Sequence, residues 1–211
     1  MKHFVWTVLL MSISTMAFAQ NTWETKETKE TQKEEPSKVE PVKPNPDQKY
    51  LRGAVPVVDG KVAFTQTFEV PGKTAFEIYN IVGKFLQDET REPNQLNSLL
   101  IKADTTDYEL AASYEEWLVF RSNAISLDRT RLYYVLKAIC QNGKVVLEMS
   151  HIKYLYEEER NPQRYKAEEW IVDNIAVNKK NTKLLPLSGK FRRKTIDRKD
   201  YLFNKIGELL Q

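Results

Sequence analysis

The chain has 211 residues, of which 41% are hydrophobic and 29% charged, and its formal net charge is +3. A single cysteine, Cys140, excludes an internal disulfide framework, and two histidines, His3 and His151, leave little scope for histidine-based catalysis or metal binding. We therefore expect no cofactor and no metal. The nearly balanced charge carries no whole-chain signal for nucleic acid.

The first 19 residues have the pattern of a secretory signal peptide. Lys2 is followed by an apolar run that is short for a membrane span, and Ala17-Phe18-Ala19 matches an A-x-A cleavage site. The residue after this site is Gln20 and not a cysteine that could carry a lipid anchor. The pattern predicts a periplasmic or secreted protein that does not span the membrane and begins at Gln20; an uncleaved N-terminal anchor is the alternative.

Residues 20–48 form a charged, proline-containing segment with almost nothing apolar to bury. Such a composition cannot offset the entropy cost of ordering, so the segment predicts a disordered linker. A partner-binding peptide is the alternative to a plain spacer. Residues 49–211 remain as one domain of sufficient size to hold a hydrophobic core.

The first elements of the domain are a strand over residues 61–70 and a helix that begins at Thr74. Glu77 lies three residues after Thr74, which is a capping box. The stretch VPGKTAF resembles the end of a nucleotide-binding P-loop, but the first glycine of that motif would fall at Thr67, inside the strand. We interpret Thr74 as a helix cap.

Four strands follow, and then a C-terminal helix. Residues 96–104 and 108–122 alternate as strands, and Asn142-Gly143 predicts a type I′ hairpin turn that places Lys137 opposite Glu148. Asp197 is the expected N-cap of the last helix. The order β-α-β-β-β-β-α predicts an α+β fold, a curved antiparallel sheet of about five strands with two helices on one face.

Two phrases, AVPVVDGKVAFTQTFEVPGKTAFEIY and GKFRRKTIDRKDYLF, resemble the two ends of an uncharacterised family of exported bacterial proteins with a TBP-like (TATA-binding-protein-like) fold. The resemblance extends from about residue 49 to the C-terminus. It implies a single TBP-like unit and an envelope location, and it supplies no catalytic residues.

Catalytic constellations are sparse in this sequence. The hairpin register separates Cys140 from His151 by roughly 20 Å along the strands, which excludes a Cys–His dyad. The acidic runs 157–159 and 168–169 predict solvated charge. A non-catalytic binding module is the expected function, and an envelope enzyme that uses a carboxylate pair, such as a glycan hydrolase, is the alternative.

Residues 179–205 are rich in lysine and arginine and include Lys190, Arg192, Arg193 and Lys194. This composition is typical of polyanion binding, and a solvated basic edge is the simpler interpretation. Export argues against genomic DNA as the partner, so nucleic acid is not the expected ligand.

Alternation along the long strands predicts two faces of the sheet. The face away from the helices, called here the second face, combines an apolar centre with a charged rim, which is the pattern of a contact surface. Its expected partner is a protein, a second copy of the chain (a homodimer) or an apolar ligand; in the alternative, residues 165–191 cover it. The predicted centre is Trp117, Val119, Tyr133, Val135, Ile139, Val146, Ile152 and Tyr154, and the rim is Glu115, Arg121, Arg131, Lys137 and Glu148.

Overall fold

The computed structural model describes residues 44–211. The predicted signal peptide and most of the predicted linker therefore lie outside the described residues. No helix within residues 44–211 has the length and apolar character needed to cross a membrane.

The described chain forms an antiparallel sheet covered on one face by helices. The strands are β1 (Val57–Val58), β2 (Lys61–Val62), β3 (Phe64–Glu69), β4 (Leu99–Asp104), β5 (Glu109–Ser122), β6 (Leu127–Gln141), β7 (Lys144–Tyr156) and β8 (Gln163–Lys166). The helices are α1 (Ala75–Glu89), α2 (Ala167–Trp170), α3 (Asp173–Ala176) and α4 (Pro186–Leu210), after a 3-10 turn at Gln48–Tyr50.

The main sheet has six strands in the order β3-β7-β6-β5-β4, with β8 paired to the far half of β7; β1 and β2 form a separate ribbon. Helices α1 and α4 pack on one face, over buried residues such as Leu110, Tyr114 and Leu136. The predicted α+β class is confirmed. The capping box is present as well, because Thr74 accepts from the Glu77 amide and Glu77 accepts from the Thr74 amide.

The predicted register of the β6–β7 hairpin is confirmed, since Lys137 pairs with Glu148 and Cys140 with Val145. The predicted type I′ turn is wrong, because Gly143 has a φ of +76° and Asn142 does not share the positive region. The turn is instead docked on the start of α1. The Asn142 side chain accepts from the Ala75 amide at 2.8 Å, and the Gly143 amide donates to the Lys73 carbonyl at 2.9 Å.

Helix α4 begins at Pro186, so the prediction of an N-cap at Asp197 is wrong. Proline suits the first turn of a helix, where its missing N–H leaves no bond unmade. Asp197 lies inside α4 and accepts from the Tyr50 hydroxyl at 2.7 Å. Gly189 lets the first turns of α4 pack closely, because a Cβ there would lie 2.6 Å from that of Leu184.

The N-terminal boundary of the domain precedes the predicted residue 49. The Asn45 side chain donates to the Thr182 carbonyl at 2.7 Å, and the Asp47 carboxylate accepts from the Leu184 amide at 3.0 Å. Asp47 also pairs with Arg193 on α4. The residues directly before 49 are therefore part of the folded unit.

A β-bulge in β7 changes which side chains reach each face. Val135 pairs with Ser150 but Tyr133 pairs with Lys153, so one extra residue is inserted on β7. His151 lies at this point with a φ of +58°, in the left-handed region. Because side chains alternate along a strand, the insertion exchanges the faces of every later residue.

The bulge overturns the predicted placement of Ile152 and Tyr154 on the second face. Both are 1% exposed and lie in the core under the helices. The Tyr154 hydroxyl is hydrogen-bonded to the Thr195 hydroxyl of α4 at 2.7 Å. Lys153 and Leu155 take their places on the second face.

Candidate functional site: the second face of the sheet

The second face holds the centre predicted for it, apart from the two residues after the bulge. Trp117, Tyr133, Val135, Ile139 and Val146 are half-buried on the face opposite the helices. Val119 lies in the same row but is buried, with 8% of its surface exposed.

Residues 165–191 do not cover the second face, so that alternative is wrong. The Tyr165 ring stacks on the Trp170 indole with 3.9 Å between ring centroids, and both rings contact Phe191 of α4. Tyr165 also lies opposite Tyr154 in the β7–β8 register. The apolar residues of this segment therefore pack on the helical side, and Lys166 and Glu169 reach the edge of the second face.

Trp117 lies beneath a guanidinium group. The Arg129 guanidinium carbon is 3.6 Å from the centroid of the Trp117 ring, and that of Arg131 is 5.3 Å from it. Both distances are within the range of cation–π attraction. The indole is thereby in contact with two cationic side chains of β6.

Arg131 joins the sheet to the loop that follows β7. It donates to Glu115 at 2.7 Å and makes a two-pronged pair with Glu158, one bond of which is 2.6 Å long. The bonds to Glu158 and Glu115 raise the pKa of Arg131. The expectation that the run 157–159 carries only solvated charge is wrong for Glu158. The Tyr133 hydroxyl completes the network by donating to Glu115 at 3.1 Å.

Two adjoining cavities open on this end of the face and share Leu155 in their walls. One has a volume of about 590 Å³ and includes Trp117, Arg129 and Glu158. The other has a volume of about 500 Å³; its walls include Tyr133, Lys153, Leu155, Arg164, Lys166 and Glu169. Sequence reasoning missed the basic residues of the second cavity. The signal was the change of apolar spacing from Met149 to Ile152, which marks a bulge.

Comparison with known proteins places this chain in a family by sequence and fold. The protein-family model described as "Domain of unknown function (DUF4468) with TBP-like fold" matches residues 64–155 of the sequence. A DUF4468 family protein from Bacteroides ovatus ATCC 8483, whose crystal structure is known, has 39% sequence identity to this chain. The alignment covers 78% of this chain and 94% of that protein, and the two structures superpose with a TM-score of 0.73. The chain belongs to the DUF4468 family.

A second structure with a similar fold is that of a TBP-like protein from Parabacteroides distasonis ATCC 8503. That TBP-like protein is 21% identical to this chain, with 74% of this chain and 97% of its own covered and a TM-score of 0.61. At this identity the likeness shows the fold alone. No curated protein matches the chain. The predicted family and its TBP-like fold are confirmed.

The basic residues predicted to form a patch do not form one in this DUF4468 chain. Arg192 is fully buried and donates to the carbonyl groups of Tyr50, Leu51 and Ile171 and to the Asp173 carboxylate, at 2.6–2.7 Å. Lys190 pairs with Asp128 at 2.7 Å, Arg193 pairs with Asp47, and Lys194 is half-buried on α4. Arg192 is thus a structural residue that ties α4 to the N-terminal turn.

The DUF4468 core contains a buried ionic cluster that the sequence did not reveal. Arg198 of α4 is fully buried and donates to Glu116 of β5 at 2.7 Å and to Glu89 of α1 at 2.5 Å. Asn94 and Gln95 donate to the second oxygen of Glu116 at 2.7 and 2.8 Å. Burial raises the pKa of Glu89 despite the neighbouring Arg198.

The carboxylates of Glu89 and Glu116 have a structural role, because Arg198 bridges them and so links α1 and α4 to β5. Glu116 and Glu89 are 0% and 5% exposed, and neither lines the two cavities of the second face. The thiol of Cys140 is buried, and in the part of the chain that the structure describes the side chains that could bind a metal are not clustered. Burial raises the pKa of the Cys140 thiol to about 12, and no group of three His, Cys, Asp or Glu side chains within residues 44–211 is placed to hold a metal ion.

Proposed function

We propose that this DUF4468 protein is an exported, non-catalytic binding module whose contact surface is the second face of its sheet. One observation carries the proposal: Trp117 and Tyr133 stay half-buried on a face that none of the helices α1, α2 and α4 covers. The partner is a protein, a second copy of the chain or a ligand with an apolar body.

The composition of the face supports this function. A solvated antiparallel face is normally polar, whereas this one has an aromatic and aliphatic centre. Trp, Tyr and Arg are the residues that most often dominate binding energy at interfaces. Here Trp117, Tyr133, Arg129 and Arg131 lie side by side. Glu115 holds Tyr133 and Arg131, Glu158 also holds Arg131, and Arg129 stacks on Trp117, so a partner would meet a preorganised surface.

Export is the second part of the proposal and rests on the N-terminal sequence. Mass spectrometry of the protein recovered from culture medium or the cell envelope should find a chain that starts at or near Gln20. An intact chain that retains Met1 in the cytoplasm would contradict it.

Changing Trp117 to Ala tests the binding surface. The variant should remain folded, with a loss of stability below about 2 kcal/mol because Trp117 is only half-buried. Association should fall at least tenfold, measured by sedimentation for self-association and by pull-down from envelope extract for a partner. Phe76→Ala is the matched control, because Phe76 is an aromatic residue 56% exposed on α1.

Two outcomes would contradict the proposal. If Trp117→Ala unfolds the domain in urea titration, the face is part of the core. If Trp117→Ala and Phe76→Ala weaken association equally, the second face has no special role in binding.

A further inference from the structure

Three cations meet on the second face beside Tyr133. Lys153 of β7 lies directly opposite Lys166 of β8, and Arg164 lies two residues before Lys166 on the same side of the strand. All three side chains are exposed and line the 500 Å³ cavity. Lys153 reaches this face only because the bulge at His151 exchanges the faces of β7.

The three neighbouring cations repel one another, which destabilises the pairing of β7 with β8 when no ligand is bound. Like charges directly opposite each other in an antiparallel pair destabilise the pairing. Within the described part of the chain, the side chains of Lys153 and Arg164 make no hydrogen bond or ion pair, and the Lys166 side chain makes one contact with Glu169, at 3.5 Å. A bound anion would turn this repulsion into attraction.

The geometry of the cluster fits one compact anionic group. Cross-strand neighbours have Cβ atoms about 5 Å apart, and residues two apart on a strand are about 7 Å apart. Long lysine and arginine side chains at such spacings can converge on one group, and an arginine fork matches the oxygens of a phosphate. Three cations and Glu169 leave two uncompensated positive charges, which a phosphate monoester dianion would balance.

The other walls of the cavity suit an organic body attached to that anion. The Tyr133 ring is half-buried there, with its hydroxyl held by Glu115 at 3.1 Å, and the Leu155 side chain is half-buried beside it. An aromatic or aliphatic group could pack against Tyr133 and Leu155 while its charged end contacts Lys153, Arg164 and Lys166.

We propose that this cavity is the anion subsite of the second face and that it binds the phosphate monoester group of a small organic ligand. The inference rests on the proposed binding function and names the ligand chemistry for one part of the face. Binding would be sensitive to salt, since the contacts are ionic and exposed.

Calorimetric titration of the full chain with phenyl phosphate tests this subsite. Phenyl phosphate should bind with one-to-one stoichiometry at millimolar or lower concentration, and benzoate, a monoanion with the same phenyl ring, should bind at least tenfold more weakly. Lys153→Ala and Arg164→Ala should each weaken phenyl phosphate binding about tenfold or more, as expected for a lost charge-assisted hydrogen bond.

Two variants separate this inference from the function of the whole face. Lys137→Ala removes a cation of the same face that pairs with Glu109 outside the cavity, and Trp117→Ala changes the neighbouring cavity; both should retain phenyl phosphate binding. No binding of phenyl phosphate, equal binding of benzoate, or binding that Lys153→Ala and Arg164→Ala leave unchanged would overturn the subsite. None of these results would alter the association test with Trp117→Ala.

Discussion

The substitution Arg198→Met removes the only cation of the buried cluster formed by Arg198, Glu89 and Glu116 and leaves its two carboxylates in the core. Breaking a buried ion pair by deleting one partner costs about 3–5 kcal/mol. Burial raises the pKa of Glu89, so this carboxyl is the one that we expect to take up a proton when Arg198 is removed. Methionine keeps much of the side-chain volume, so the loss is electrostatic rather than a cavity effect.

Urea unfolding of the Arg198→Met protein at pH 7, monitored by circular dichroism, measures the loss in the free energy of unfolding, which should be about 3–5 kcal/mol. In a separate thermal scan, a loss of this size should lower the melting temperature by about 6–20 °C for a domain of this size. Lys84→Met is the matched control: Lys84 pairs with Asp88 at the surface of α1, where an ion pair contributes at most about 1 kcal/mol. If both substitutions cost less than about 1 kcal/mol, the cluster is not what holds α4 to the sheet.

Three further predictions concern the folded state. Burial raises the pKa of Glu89 in the folded state, so the stability that this group contributes is present below about pH 4 and is lost as pH rises through the folded pKa. The urea midpoint of the protein should therefore fall between about pH 4 and 8, and Glu89→Gln should make that fall smaller. His151→Val should destabilise the domain by about 1–2 kcal/mol, because a β-branched residue resists a φ of +58°, whereas His151→Gly should not; equal losses would refute a conformational role. Asn142→Ala should cost about 1 kcal/mol in thermal unfolding by removing the acceptor of the Ala75 amide at the start of α1, and an unchanged midpoint would contradict that role.

Local signals in the sequence predicted much of the fold. The Thr74–Glu77 capping box located the start of α1, and the two-residue turn at Asn142-Gly143 determined the register of β6 and β7. These features depend on neighbouring residues alone. The turn type could not be predicted, because it depends on contacts of Asn142 and Gly143 with the distant segment 73–75.

Placement on the second face failed where alternation is interrupted. A strict period of two put Ile152 and Tyr154 on that face, and the bulge at His151 reversed them. The buried states of Arg192 and Arg198 were also missed, because basic residues in a basic segment normally predict a surface. Their partners, Asp173 for the first and Glu89 and Glu116 for the second, are far apart in the sequence and meet only in the fold.

Site-specific photo-crosslinking tests the proposed use of the second face most directly. A benzophenone amino acid would replace Val135, which is half-buried at the centre of the second face, and in a separate protein Leu187, which is 70% exposed on α4. After irradiation of cells that express the protein, adducts should form from position 135 and be absent from position 187. Adducts from position 187 with none from position 135 would contradict the assignment of the second face as the binding surface.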